Sequence, residues 1–188
     1  MPAESIPAAL VLIDCQKGFD DSKWGVRNNP QFEENAQALL AAWRQNHLPV
    51  IHIRHSSTED DSPLAPDSPG FEYYAWAVPQ QDETEFIKHV NSGFIETGLE
   101  AYLRSLTLQN LVVCGLTTNH CVSTTVRMAG NLGFHVELVA DACATFPRTS
   151  YNGTVDDAEL IHDTALASLH GEFCEVRTTQ DILKPDSV

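Results

Sequence analysis

The sequence predicts an α/β fold in three layers, with a six-stranded, mostly parallel sheet flanked by helices. Three observations predict it: short apolar runs of strand length, helical apolar periodicity between them, and regular alternation of the two without repeats or low-complexity segments. Parallel neighbours need crossover connections, and these are right-handed, so helices must cover both faces of the sheet. At 188 residues, 43% of them hydrophobic, the chain can build one core; it is read as a single domain over 1–188 with an elaborated loop at about 56–81.

Ala8 to Ile13 is an apolar run too short for a helix and suited to a strand buried on both faces, with Asp14 at its carboxyl end. Pro30 can open a helix, because Phe32, Ala36, Leu39, Leu40 and Trp43 then recur at three- and four-residue spacing; it stops before Pro49. Val50 to Ile53 is the second strand. Ser56 to Gln81 is a long loop rich in Pro, Ser and Asp, and its Phe71, Tyr73, Tyr74 and Trp76 favour a folded segment facing substrate or another subunit. Glu85 to Ile87 is a short third strand that delivers Lys88. Thr97 and Glu100 have capping-box spacing ahead of a helix carrying Leu99, Leu103 and Leu106. Asn110 to Cys114 is a strand, Gly115 to Thr118 a turn, Asn119 to Leu132 a helix with Thr118 as its N-cap, and His135 to Ala140 the fifth strand. A helix over Asp157 to Leu169, stopped by Gly171, leads to a last strand near Phe173 to Arg177.

A formal net charge of -15 argues against nucleic acid and anionic membranes as partners, since both are bound largely through Lys and Arg. A small-molecule substrate is the expected partner. Met1 to Pro7 lacks the basic start and apolar stretch of a signal peptide, so a cytoplasmic protein is expected. The five cysteines, Cys15, Cys114, Cys121, Cys143 and Cys174, are odd in number and lack CxxC spacing, which leaves zinc and disulfide frameworks unsupported and free thiols expected.

Open α/β sheets bind ligands beyond the carboxyl ends of their strands, where Asp14, Lys88 and the Gly115 to Cys121 turn all fall. A cysteine following a strand is more often packing than chemistry. Cys121, however, is predicted in the first turn of a helix, where the dipole and the Lys88 ammonium would lower its pKa and favour the thiolate. His120 is adjacent in sequence, and consecutive helix residues do not face each other, so it is not its partner.

The text GLTTNHCVSTT around Cys121 resembles the nucleophile motif of the isochorismatase-like cysteine hydrolases, a superfamily that includes nicotinamidases and N-carbamoylsarcosine amidase. LVLIDCQKGF, with Asp14 and Gln16, resembles its first motif, and FIKHVNSGF, with Lys88, its second; ETGLE and ADACATF extend the match from about Ala8 to Phe146. The resemblance implies a triad of Asp14, Lys88 and Cys121 on a six-stranded Rossmann-like sheet. It further implies a cis peptide between Leu116 and Thr117, an oxyanion hole from the amides of Thr117 and Cys121, and a homo-oligomer. By the same analogy Phe19, Trp24, Phe94 and the loop from Phe71 to Trp76 are candidate substrate contacts.

The chain departs from nicotinamidases in two places. Their metal-binding histidine cluster is replaced by HIRHSSTEDDSP, where His52 and His55 should fall on opposite faces, a poor ligand arrangement, so no metal and no cofactor are expected. Asn119 replaces the acidic residue often found two positions before the nucleophile, and is a further candidate contact. Arg54 or His55 could receive a substrate carboxylate. Vinyl-ether hydrolysis of the isochorismatase type needs no thiolate, so Cys121 favours a metal-independent hydrolase that opens a small amide or ureido bond through a thioester. The alternatives are that vinyl-ether chemistry and a non-catalytic binding or interaction protein.

Overall fold

A computed structural model describes residues 8–184; Met1 to Pro7, read above for a signal peptide, and residues 185–188 lie outside the described residues. In chain order the elements are β1 (Ala9–Ile13), α1 (Phe32–Gln45), β2 (Val50–His55), β3 (Thr84–Lys88), α2 (Leu99–Ser105), β4 (Asn110–Leu116), α3 (Ser123–Asn131) and β5 (His135–Ala144). They continue with β6 (Arg148–Thr149), β7 (Val155–Asp156), α4 (Ala158–Leu169), β8 (Glu175–Arg177) and α5 (Thr179–Leu183). Six strands form one sheet in the order β3-β2-β1-β4-β5-β8, and every pairing in it is parallel. The order runs outward one way from β1 to β3 and the other way from β4 to β8. The switch point therefore lies between β1 and β4, and a crevice opens beyond their carboxyl ends.

Each strand's burial follows from its place. All five residues of β1 are at most 1% exposed, because a central strand is covered on both faces. β3 is an edge strand, and Glu85 and Ile87 face solvent, while Lys88 at its end is turned inward and is 1% exposed. Helix α1 seats Phe32, Ala36, Leu39, Leu40 and Trp43 in the core, the set its periodicity predicted. Each large apolar side chain so buried contributes about 1.5–3 kcal/mol.

Four expectations are corrected. The N-cap of α2 is Gly98, at φ 80, and not Thr97, whose hydroxyl donates to the Gly93 carbonyl at 2.6 Å; Glu100 pairs with Arg104 instead, and Leu106 is 46% exposed. The capping box belongs to α5, where Thr178 and Asp181 exchange bonds. Strand β5 runs on to Ala144 across a register shift opposite Val113 and Gly115, which takes Cys143 into the strand. The β6–β7 ribbon was not expected, since strands of two residues carry no readable pattern. Finally, the long loop is folded, with short 3-10 turns at Pro69–Phe71 and Ala75–Ala77, but its aromatics turn onto the domain itself. Tyr73 donates to Glu85, Tyr74 to Asp20 and Trp76 to Glu33, at 2.9, 2.9 and 3.3 Å.

Candidate active site

β1 ends by releasing Asp14 into a left-handed conformation, φ 51, that aspartate tolerates better than most residues. Its carboxylate is fully buried: Oδ2 accepts a bond from Lys88 Nζ at 2.8 Å, while Oδ1 has no hydrogen-bond partner. Lys88 comes from β3, so its stem must cross the end of β2 to arrive. There its ammonium also meets Cys121 Sγ at 3.2 Å and His55 Nδ1 at 3.0 Å, giving each of its three protons an acceptor. Gln16, also fully buried, holds the floor together. Its amide donates to the carbonyls of His55 and Phe71 at 3.0 and 3.1 Å, and its Oε1 accepts from the His55 N–H at 2.9 Å.

Burial alone would lower the Lys88 pKa, but the charges of Asp14 and then Cys121 outweigh it, and the net direction is upward, so the ammonium persists. Burial, then the Lys88 charge, lowers His55, leaving a neutral ring that accepts from Lys88 through Nδ1 and carries its proton on Nε2. Cys121 departs from expectation. Burial pushes its thiol well up, the Asp14 charge pushes the same way, and Lys88 only partly opposes them. Nor is Cys121 in the first turn of α3. It lies in a wide π-type turn, Thr118–Val122, where Val122 N–H reaches back to the Thr117 carbonyl at 3.2 Å. Thr118 caps nothing, because its hydroxyl is bonded to buried His162 at 2.8 Å. The resting site thus holds a protonated thiol beside a carboxylate oxygen with no partner. The Leu116–Thr117 peptide is cis, as the resemblance implied.

Above this floor is a cavity of about 250 Å³. Phe19, Trp24 and Phe146 form one wall, with ring centroids 5.7–6.1 Å apart. His55, Asn91, Thr117 and His120 surround Cys121, and exposed Lys23, Glu59 and Arg148 stand at the mouth. The long loop contributes Ser57, Glu59, Ser62 and Leu64, and none of its aromatics.

Of the substrate contacts expected from sequence, Phe19 and Trp24 line the cavity. Phe94 does not: it stacks on Phe134 at 5.9 Å. Asn119 lies one layer back, accepting from the hydroxyl of the lining residue Thr145. Arg54 is also outside, paired with Glu85 at 2.7 Å and stacked over Phe71 at 4.3 Å. Sequence reading gave no role to Phe146, Asn91 or Arg148, or to Gln16 as the clamp on His55. Gln16, Asn91 and Phe146 did stand inside the quoted motifs; Arg148 carries no local signal.

His52 and His55 part as expected, His52 turning to Glu83 at 2.8 Å. His55 nevertheless joins Asp14 and Cys121 in a group whose ligand atoms lie within 4.8 Å of one another. A cation is already there. Lys88 Nζ is within hydrogen-bonding distance of all three residues, so a metal would have to displace a buried, ion-paired ammonium. The donor set does not fit a metal.

The sequence model of the Isochorismatase domain matches residues 8–181. The chain belongs to the isochorismatase family. It is 45% identical over 175 residues to the uncharacterized isochorismatase family protein YrdC of Bacillus subtilis, covering 93% of this chain and 94% of that one. A solved isochorismatase-family structure from Chromobacterium violaceum is 46% identical and superposes with a TM-score of 0.92 over 97% of each chain. A cysteine hydrolase from Pseudomonas syringae, 26% identical, superposes at 0.85 over 97% of this chain and 93% of its own. The six-stranded α/β fold and the sequence motifs thus agree with the family, and this isochorismatase-family member is a hydrolase of the cysteine type. No helix among its described residues is long and apolar enough to cross a membrane.

Proposed function

We propose that this hydrolase opens a small amide or ureido C–N bond through a thioester on Cys121, without a metal. The observation that carries the reading is the unpartnered Oδ1 of Asp14 in a buried cluster where Lys88 bonds both Asp14 and Cys121. A buried carboxylate oxygen without a hydrogen bond is costly; the Cys121 thiol, which donates to Asn91 Oδ1 at 3.7 Å, lies within 4.8 Å of the Asp14 carboxylate and can turn its proton to it. Asp14 takes the Cys121 proton as sulfur attacks the carbonyl carbon, and the Lys88 ammonium stabilises the developing charge. The amides of Thr117 and Cys121, both at the cavity wall, are the proposed donors to the oxyanion. Asp14 then protonates the leaving nitrogen, the amine departs, and a water that gives its proton to Asp14 cleaves the thioester and restores the thiol.

The raised thiol pKa supports proton transfer coupled to attack over a preformed thiolate. It also makes Asp14 indispensable to this reading. An ammonia-release screen across small amides and ureido compounds tests it, with Cys121→Ala and Asp14→Asn as controls and mass-spectrometric capture of the acyl-enzyme. Release at the wild-type rate by Cys121→Ala would falsify it, and product formation from vinyl ethers without ammonia would move the assignment to acid catalysis. The resemblance also supports a homo-oligomer, which light scattering tests.

A further inference from the structure

The charges at the cavity mouth narrow the substrate class. The chain has 11 Lys and Arg against 26 Asp and Glu, so a cation that forms no ion pair is conspicuous. Eight of the eleven are ion-paired: Lys17, Arg27, Arg44, Arg54, Lys88, Arg104, Arg177 and Lys184. Arg127 is occupied otherwise, lying over the Phe173 ring at 4.8 Å and donating to Ser123. The remaining two, Lys23 and Arg148, both line the cavity above Cys121.

Arg148 is the more telling of the two. Its guanidinium makes no hydrogen bond or ion pair with any described residue. Arg148 follows Phe146 and Pro147 of the cavity wall and stands opposite Asp156 in the β6–β7 ribbon; the Asp156 carboxylate accepts from the Ser150 hydroxyl and forms no ion pair with the guanidinium. Lys23 lies over Trp24 at 5.1 Å and donates to the Asp61 carbonyl at 3.5 Å, which keeps its charge beside the same opening. Glu59, the one carboxylate among the lining residues, is within ion-pair distance of neither. Burial lowers both His55 and His120, helped at His120 by the Arg148 charge, so neither ring adds charge near neutral pH. The cavity wall is thus net positive in a chain that is strongly negative.

We infer that Arg148, assisted by Lys23, is an anion subsite that takes the carboxylate of an amide or ureido substrate at the end remote from Cys121. A guanidinium offers paired donors that match a carboxylate, and the Phe19, Trp24 and Phe146 wall between gives an apolar surface for the connecting carbons. The inference rests on the amide or ureido reading above. Arg54, the other arginine considered for this role, is held by Glu85 outside the cavity.

Alkylation of Cys121 reads the subsite without knowledge of the substrate. Iodoacetylglycine and iodoacetylglycinamide share size and reacting carbon and differ in charge at the end remote from that carbon. Labelling of Cys121 by iodoacetylglycinamide, mapped by mass spectrometry, reports on the nucleophile itself. The ratio of iodoacetylglycine to iodoacetylglycinamide rates reports on the subsite. Arg148→Gln should lower that ratio about two- to fivefold, the range of an exposed charge pair. Arg148→Lys and Lys23→Gln should lower it less, and Lys184→Gln, which removes a charge elsewhere, should leave it unchanged. Among compounds that release ammonia, carboxylate-bearing members should be preferred to neutral analogues, with the preference lost in Arg148→Gln through KM. A ratio unmoved by Arg148→Gln overturns the subsite and leaves the nucleophile standing. Absence of any labelling or turnover at Cys121 removes both.

Discussion

Two buried charge clusters sit on either side of β2, each built around one of its histidines. In the first, Glu83 accepts from Arg44 through both oxygens at 2.6 and 2.9 Å, from His52 at 2.8 Å and from the Gln80 amide at 2.8 Å. In the second, Lys88 is bonded on all sides, yet Asp14 keeps one oxygen without a partner. Both clusters join strands to loops; Asp14 and Lys88 are fully buried, while Arg44 leaves its partner Glu83 for the surface with 24% of its side chain exposed. The difference is that the Glu83 carboxylate is saturated while the Asp14 carboxylate is not, and only the second opens on a cavity. The contrast lies in the carboxylates, since His52 in the first cluster also keeps a buried, unpartnered Nδ1: a carboxylate bonded through both oxygens holds structure, whereas one with a bare oxygen beside a thiol is the one proposed to move a proton.

Removing the thiol should break the comparison most sharply. Cys121→Ala is expected to lower turnover by roughly a thousandfold or more while leaving Tm within a few degrees, since the loss falls on covalent catalysis. Asp14→Asn should cost comparable activity and also stability, because it leaves the Lys88 ammonium buried beside a neutral group; about 3–5 kcal/mol is typical for breaking such a pair, measurable by urea unfolding. Glu83→Gln should show the converse, a loss of about 2–3 kcal/mol in the same assay with kcat within about threefold of wild type. Its pH signature follows from the Glu83 pKa. Burial would raise it, but the bonds from Arg44, Gln80 and His52 pull it down to about 2. A depressed carboxylate stabilises the fold above its unfolded pKa, and that contribution is lost as pH falls from about 4.5 through 2. Wild type should therefore lose stability over that window more steeply than Glu83→Gln. The smallest effect is expected of His55→Gln, which keeps an acceptor near Lys88 and should lower kcat about three- to tenfold, read against an unchanged Tm.

Much of this was legible in the residues. β1 is a bare apolar run because it is buried on both faces, and the strand ends that carry Asp14, Lys88 and the Cys121 turn could be placed from it and its successors. Other features were not readable for physical reasons. The thiol pKa depends on burial that sequence cannot measure, and there it reversed the effect expected from Lys88. The aromatics from Phe71 to Trp76 read as a binding surface because composition does not say which way a loop faces. Arg148 was invisible because its importance lies in lacking a partner, a property of three-dimensional neighbours alone.

The ammonium at the centre of the cluster has one more consequence. As the end of a side chain anchored on β3, Lys88 has no dissociation constant and cannot be diluted away, chelated or exchanged for a competing ion. The pocket is charged as soon as the sheet has formed, with no loading step after folding. In the proposed mechanism its working state depends on pH and temperature, and not on the supply of any ion in the surroundings.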